Sequence, residues 1–148
     1  AMGKVLEIGI ATNKGDQIKN VNKVEAIMSK GLLNDRKFKD NNHKESQVTL
    51  IEIEHINYFN NISKCNIKAI DFRRNIITDN IKLNNFVGSD FFVGNVKLRG
   101  HDLCRPCKYL QDKLHKNNFI KEFLLKGGLR CEILTSGEIK VGDIIKNI

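Results

Sequence analysis

Apolar residues recur along this chain mostly at the spacing of strands, with a few stretches at the spacing of helices. Residues 4–12 alternate in part through Val5, Ile8 and Ile10, which predicts a first strand, and residues 21–28 form a second short apolar segment. Residues 31–44 are polar and charged and read as a loop. Residues 48–53 predict a buried strand, after which Ile53, Ile56 and Phe59 fall at helical spacing within 52–62. Residues 67–78 predict an extended segment with Ile70, Phe72, Arg74 and Ile76 on one side and Asp71, Arg73 and Asn75 on the other. Residues 91–98 read as a strand with Phe92, Val96 and Leu98 on one face and Gly94 at a bulge or close backbone approach.

The later part of the chain predicts two helices and a group of closing strands. Pro106 suits the first turn of a helix over 106–115 that carries Leu110 and Leu114 four apart. A second helix over 118–126 ends at Gly127-Gly128. Strands over 129–134, 138–141 and 143–148 follow, turning at Ser136-Gly137 and Gly142. Many short strands without regular strand–helix alternation argue against a doubly wound parallel sheet. The expected class is mainly β, with the sheet curled or closed into a barrel and a few peripheral α-helices.

Composition narrows the setting. At 148 residues without repeat, linker or low-complexity tract, the chain is expected to form one domain over 4–148, with residues 1–3 a terminal remnant outside it. No apolar run reaches the roughly 20 residues a membrane span needs, and no leader pattern is present. Four cysteines in such a chain fit a reduced cytoplasm better than a disulfide framework. The 25 Lys and Arg against 17 Asp and Glu give a net +8, which favours anionic partners. Nucleic acid is not the expected one, because the lysines are scattered and no aromatic platform is interleaved with them.

Candidate chemistry concentrates between Phe72 and Cys107. In Cys104-Arg105-Pro106-Cys107, Pro106 would open a helix and place Cys107 in its first turn, where free N–H groups and the helix dipole favour a thiolate. Such a thiolate ligates a soft metal or attacks an electrophile, whereas two buried cysteines would simply be small hydrophobes. A thioredoxin-type dithiol lacks its βαβ context, and a structural zinc site lacks a second C-x-x-C or H-x-H, though Cys131, His101 and His115 are available. Arg73-Arg74-Asn75 on a strand would send its two arginines to opposite faces, so one of them faces protein and needs an anionic partner. That partner is either Asp71 in a structural pair or a ligand phosphate. Asp35-Arg36 in the charged loop and Arg130 after the Gly-Gly pair are ambiguous alone.

Taken in order, these segments resemble a known family. Asp35-Arg36, Ser46-Gln47-Val48-Thr49-Leu50, Phe72-Arg73-Arg74-Asn75-Ile76, Phe86-Val87-Gly88 with Phe92-Val93-Gly94, Leu103-Cys104-Arg105-Pro106-Cys107, and Gly128-Leu129-Arg130 with Gly137 and Gly142-Asp143 are similar to the MOSC domain. That domain is named for the C-terminal part of molybdenum cofactor sulfurase, and the chain looks like a small stand-alone bacterial member. The resemblance implies a β-barrel that binds the molybdenum cofactor (molybdopterin), a pterin dithiolene bearing a phosphate. It implies Cys107 as the molybdenum ligand and catalytic thiolate, Arg73 and Asn75 as pterin and phosphate contacts, and Arg36 and Arg130 as further anion contacts. The loop departs from the family in having Asn34 where Gly is usual and Lys37 where His is frequent.

Two activities are consistent with that resemblance. One is a molybdenum-dependent oxidoreductase that reduces N-hydroxylated compounds. The other is a carrier in sulfur or metal-cofactor transfer, supplied by a sulfurase or reductase partner protein. The alternative from a different class is a non-catalytic anion or nucleic-acid binding module with a structural or zinc-binding C-x-x-C.

Overall fold

The protein is described by a computed structural model over residues 2–105, 112 and 125–148. Its strands are β1 (Met2–Ile10), β2 (Lys19–Val21), β3 (Lys23–Ile27), β4 (Gly31–Leu32), β5 (Val48–Glu52), β6 (Ile76–Asp79), β7 (Asp90–Val93), β8 (Val96–Leu103), β9 (Leu129–Ile133), β10 (Gly137–Lys140) and β11 (Ile144–Asn147). Strands run in the order β11-β7-β8-β9-β5-β6-β1, and β1 pairs back onto β11, which closes a seven-stranded barrel. Closure removes the free edges that an open sheet of this size would present. A three-stranded sheet, β10-β3-β4, contributes Val24, Ala26, Leu32 and Ile139 to the same core. The expected mainly β barrel is what the chain forms.

Alternation decides what fills the barrel. In β9, Leu129, Cys131 and Ile133 are buried while Arg130 and Glu132 are only partly covered. β5 differs, being buried at every position. It pairs in parallel with β6, and a parallel pair requires a crossover, made here by helix α1 (Ile53–Ser63). Val48 and Leu50 therefore point into the barrel, whereas Ile51 packs under the helix with Ile56, Phe59, Phe72 and Ile77. Lys64 ends the helix in a left-handed conformation.

Two sequence expectations need correction. Residues 67–78 are not one extended segment: Ala69–Phe72 form a 3-10 turn, Arg73 is left-handed at φ 65°, and β6 begins only at Ile76. Ile70 and Phe72 are buried beneath α1, so alternating burial there reflects the turn and not a pleat. Residues 91–98 are a hairpin of two strands, with Gly94 at φ 58° in the turn where a Cβ would meet the Asp143 carboxylate at 2.5 Å. The turn resets the pleat, so Phe91, Val93, Val96 and Leu98 are buried and Phe92 is not. Met2 and Gly3 lie in β1 and pair with Lys146 and Ile145.

Smaller differences are local. The 31–44 segment contains β4, whose Leu32 is fully buried, and Val48–Glu52 stops one residue before the predicted strand end. The helices expected over 106–115 and 118–126 lie outside the described residues, apart from Asp112, which is helical, and Leu125 and Lys126, which form a turn.

Candidate functional site: a basic cleft beside β5 and β6

Where β5 and β6 start, a polar network fixes the two strands to each other. The Asn75 side chain accepts from the Thr49 N–H and hydroxyl, each at 3.2 Å, and donates to the Gly9 carbonyl at 3.0 Å. Asn75 is buried and its amide is engaged by protein. The structure therefore places it behind the site, holding β1, β5 and β6 in register.

Arg73 and Arg74 diverge because the left-handed turn at Arg73 rotates the chain between them. Arg74 is buried, donating to the carbonyls of Gly127 at 2.8 Å, Arg105 at 2.7 Å and Phe72 at 3.4 Å. Among the described residues no carboxylate lies within 4 Å of it, so three of its five N–H groups meet carbonyls while its charge is not neutralised. Arg73 is half-buried and donates to the Asp16 carbonyl at 3.0 Å. Asp71 is exposed and, among the described residues, forms no ion pair with Arg73.

Arg74 faces a cleft of about 290 Å³ lined by Lys37, Thr49, Asp102, Leu103, Cys104, Arg105 and Arg130. Lys37 is pushed down to about 8, first by burial and then by the neighbouring Arg36 and Arg74 charges. Arg36 is lowered by burial too, with the Asp35 carboxylate opposing and Arg73 and Arg74 adding to the effect. Asp35 serves this group from below: its buried carboxylate accepts from the Ala11 N–H at 3.1 Å and from the Arg36 guanidinium at 3.2 Å. Arg36, Lys37, Arg73 and Arg74 therefore act on one another electrostatically with a single buried carboxylate beneath them.

Arg130 sits on the opposite wall and is differently committed. It forms a two-pronged pair with Asp102, through Nε at 2.7 Å and through NH2, and this holds Asp102 below the usual carboxylate range. Gly127 and Gly128 bring the chain there through a narrow gap. A Cβ on Gly128, at φ 108°, would lie 2.2 Å from the Leu50 carbonyl, and one on Gly127 would lie 2.6 Å from that of Cys104.

Cys104 is buried in the cleft wall, and burial pushes its thiol up despite Arg74, Lys37 and Arg130. It is a thiol and not a ready thiolate. Cys131 lies wholly inside the barrel, where burial raises its thiol much further. His101 is committed to Glu132 at 2.9 Å, and no group of three or more metal-ligating side chains occurs among the described residues. Cys107 lies outside the described residues, two positions beyond the Arg105 that borders the cleft.

Of the site residues read from sequence, Arg36, Arg73 and Arg130 border or electrostatically feed one basic region, and Asn75 supports it from behind. Sequence reasoning passed over Arg74 and Lys37. The signal for Arg74 was present, since one of two adjacent arginines had to face protein. Lys37 appeared only as a departure from an expected His.

The class is a small closed barrel with a helix-covered crossover and a basic, carboxylate-poor cleft beside its parallel strand pair. The MOSC domain model matches residues 34–146, and the chain belongs to that family. Solved structures share the fold: the YuaD protein from Bacillus subtilis has a TM-score of 0.80 at 17% identity, covering 98% of this chain and 94% of its own. YiiM from Geobacillus stearothermophilus has a TM-score of 0.76 at 15% identity, covering 99% of this chain and 75% of its own. YiiM from Escherichia coli has a TM-score of 0.65 at 14% identity, covering 97% and 70%. No curated protein matches the chain. No helix among the described residues is long and apolar enough to cross a membrane.

Proposed function

We propose that this domain binds the molybdenum cofactor, with the basic cleft taking its phosphate-bearing end and Cys107 meeting the metal. The observation that supports this reading is the buried Arg74 guanidinium, which gives three of its five N–H groups to carbonyls and has no counter-ion among the described residues, beside Lys37 and Arg36. Its field favours an anion over a neutral ligand, and Lys37 can add a direct charged contact in its protonated form. The donor set thus suits a phosphate ester. Arg73 and Arg36 add positive charge on one side, and Arg130 is available if its pair with Asp102 opens to a stronger anion. Asn75 acts by positioning, since it locks Thr49 of β5 to the segment that carries Arg74. When bound, the cofactor supplies two-electron and oxo-transfer chemistry, and the protein's part is to grip and orient it.

The activity is either reduction of N-hydroxylated compounds or transfer of sulfur or the metal cofactor, with a reductase or sulfurase as partner. Molybdenum and oxidised-pterin content of freshly isolated protein is the deciding measurement, and near-equimolar values are expected. Cys107→Ser should lose molybdenum at unchanged thermal stability, and equal metal loading in both proteins would remove the ligand assignment. Loaded protein given a reductant and a hydroxylamine separates enzyme from carrier by turnover. A preparation without pterin that holds nucleic acid with steep salt dependence would favour the binding-module alternative.

A further inference from the structure

A second cavity, of about 660 Å³, lies at the other end of β5 and is lined by Glu52, Glu54, His55, Asn80, Ile81, Lys82, Asn85, Phe86 and Asn147. Thr49 in the cleft and Glu52 here are three residues apart on one strand, about 10 Å at strand rise. The chemistry is reversed. Among the described residues, Glu52 carries the only carboxylate that both is buried and lines this cavity, with 8% of its side chain exposed.

Its two oxygens are in different situations. Oε2 accepts the Leu83 N–H at 3.1 Å, at the start of the 3-10 turn Leu83–Phe86. Oε1 has as its near partner the His55 Nε2 at 3.6 Å, beyond hydrogen-bond length. Burial lowers His55, and Lys126 adds to the effect, so near neutral pH the ring is uncharged. Lys82 and Lys126 are close enough to act on Glu52 through space, but neither comes within 4 Å of its oxygens. The Lys126 ammonium lies instead over the Tyr58 ring at 5.0 Å. Glu52 is therefore a desolvated carboxylate with no charged partner among the described residues, facing space large enough for a small molecule.

We propose that this cavity is a binding site for a small organic cation, an ammonium or amidinium with a flat apolar body, whose N–H groups donate to Glu52 Oε1. Glu54 adds a second negative charge at the rim, although one of its oxygens already accepts from the Asn80 N–H at 3.0 Å. Asn80, Asn85 and Asn147 offer neutral polar contacts, while Ile81 and the buried Phe86, stacked on Phe91 at 4.4 Å, provide the apolar wall. In a chain of net charge +8, a cavity with two carboxylates against one lining lysine is set apart by sign from the basic cleft. The site is independent of the cofactor reading.

Calorimetric titration of the whole protein with benzamidinium and with the neutral isostere benzamide tests this. Benzamidinium should bind saturably at millimolar concentration or below, benzamide at least tenfold more weakly. Glu52→Gln keeps an acceptor for the Leu83 N–H but removes the charge, and should weaken benzamidinium at least tenfold. Lys82→Met, which removes a competing cation from the rim without touching the core, should tighten binding. Equal affinity of benzamidinium for wild type and Glu52→Gln would overturn the proposal. So would equal affinity for the two probes, no saturable binding up to probe solubility, or weaker binding by Lys82→Met.

Discussion

The two ends of β5 both bury polar side chains, but one end carries positive charge held by carbonyls and the other a carboxylate with one oxygen open. Beside Thr49, the Asn75 amide meets two donors and one acceptor, and Arg74 gives its N–H groups to three carbonyls. At Glu52, one carboxylate oxygen is capped by a backbone N–H and the other faces a cavity. Saturated groups hold strands in place, and groups with spare charge or spare lone pairs recognise ligands. Arg74 belongs partly to both kinds, since three of its five N–H groups are held by carbonyls while its charge meets no carboxylate among the described residues. Substitutions at saturated positions should therefore act on folding, and those at open positions on binding.

The largest effect is expected at Asn75. Asn75→Ala orphans the Thr49 N–H and the Gly9 carbonyl in the interior, where each unpaired group costs about 1–3 kcal/mol. A loss of about 3 kcal/mol should appear as a lower urea midpoint at unchanged slope. If stability instead stays within experimental error while cofactor content falls, Asn75 is a ligand contact and the contrast between the two ends fails.

The same contrast explains what could be read from the sequence. Strand positions such as Leu129, Cys131 and Ile133 were legible because one face is core, and burial writes itself as alternation. The motif-bearing segment Phe72 to Asn75 was legible as chemistry but not as geometry. A single left-handed residue, Arg73, cannot be seen in a period-two pattern, yet it decides which arginine turns inward. Phe92 was assigned to the wrong face for a similar reason, since the Gly94 turn resets the alternation. Glu52 left no trace, because a glutamate at a strand end reads as exposed until the 81–86 segment is known to fold over it.

Lys37 should produce two slopes of opposite sign. Its folded value, about 8, lies below the ordinary 10.5, so between those pH values the unfolded chain holds the proton more tightly than the native one. Folding stability from this group should therefore rise as pH increases from about 8 towards 10.5. Anion affinity should fall through pH 8 as the charge is lost, by about tenfold for one charge-assisted contact. Sulfate, whose charge is constant in this range, is a suitable probe. Lys37→Met should flatten both dependences, and a slope that survives in the variant would assign the titration elsewhere.

Arg73 should separate stability from binding. Its single carbonyl contact is at the surface, and its left-handed backbone is unfavourable for a residue with a Cβ. Arg73→Gly should leave the thermal midpoint unchanged or raise it, by up to about 1 kcal/mol, while cofactor content falls. A clear fall in stability without ligand would show that the Asp16 contact is structural after all.

The smallest effect on folding is expected at Glu52, and its sign is the informative part. Burial raises its carboxyl above the ordinary 4.5, so the native state binds a proton at pH values where the unfolded chain has released it. The stability it contributes is present in acid and is lost as pH rises from about 4.5 through the raised folded value. Glu52→Gln keeps the Leu83 contact and removes a desolvated charge, so at neutral pH it should be as stable as wild type or more so, by no more than about 1 kcal/mol. The acid-side slope should disappear with it. Marked destabilisation at neutral pH would mean that the carboxylate has a partner in the native protein, and the far end of β5 would then be as saturated as the near one.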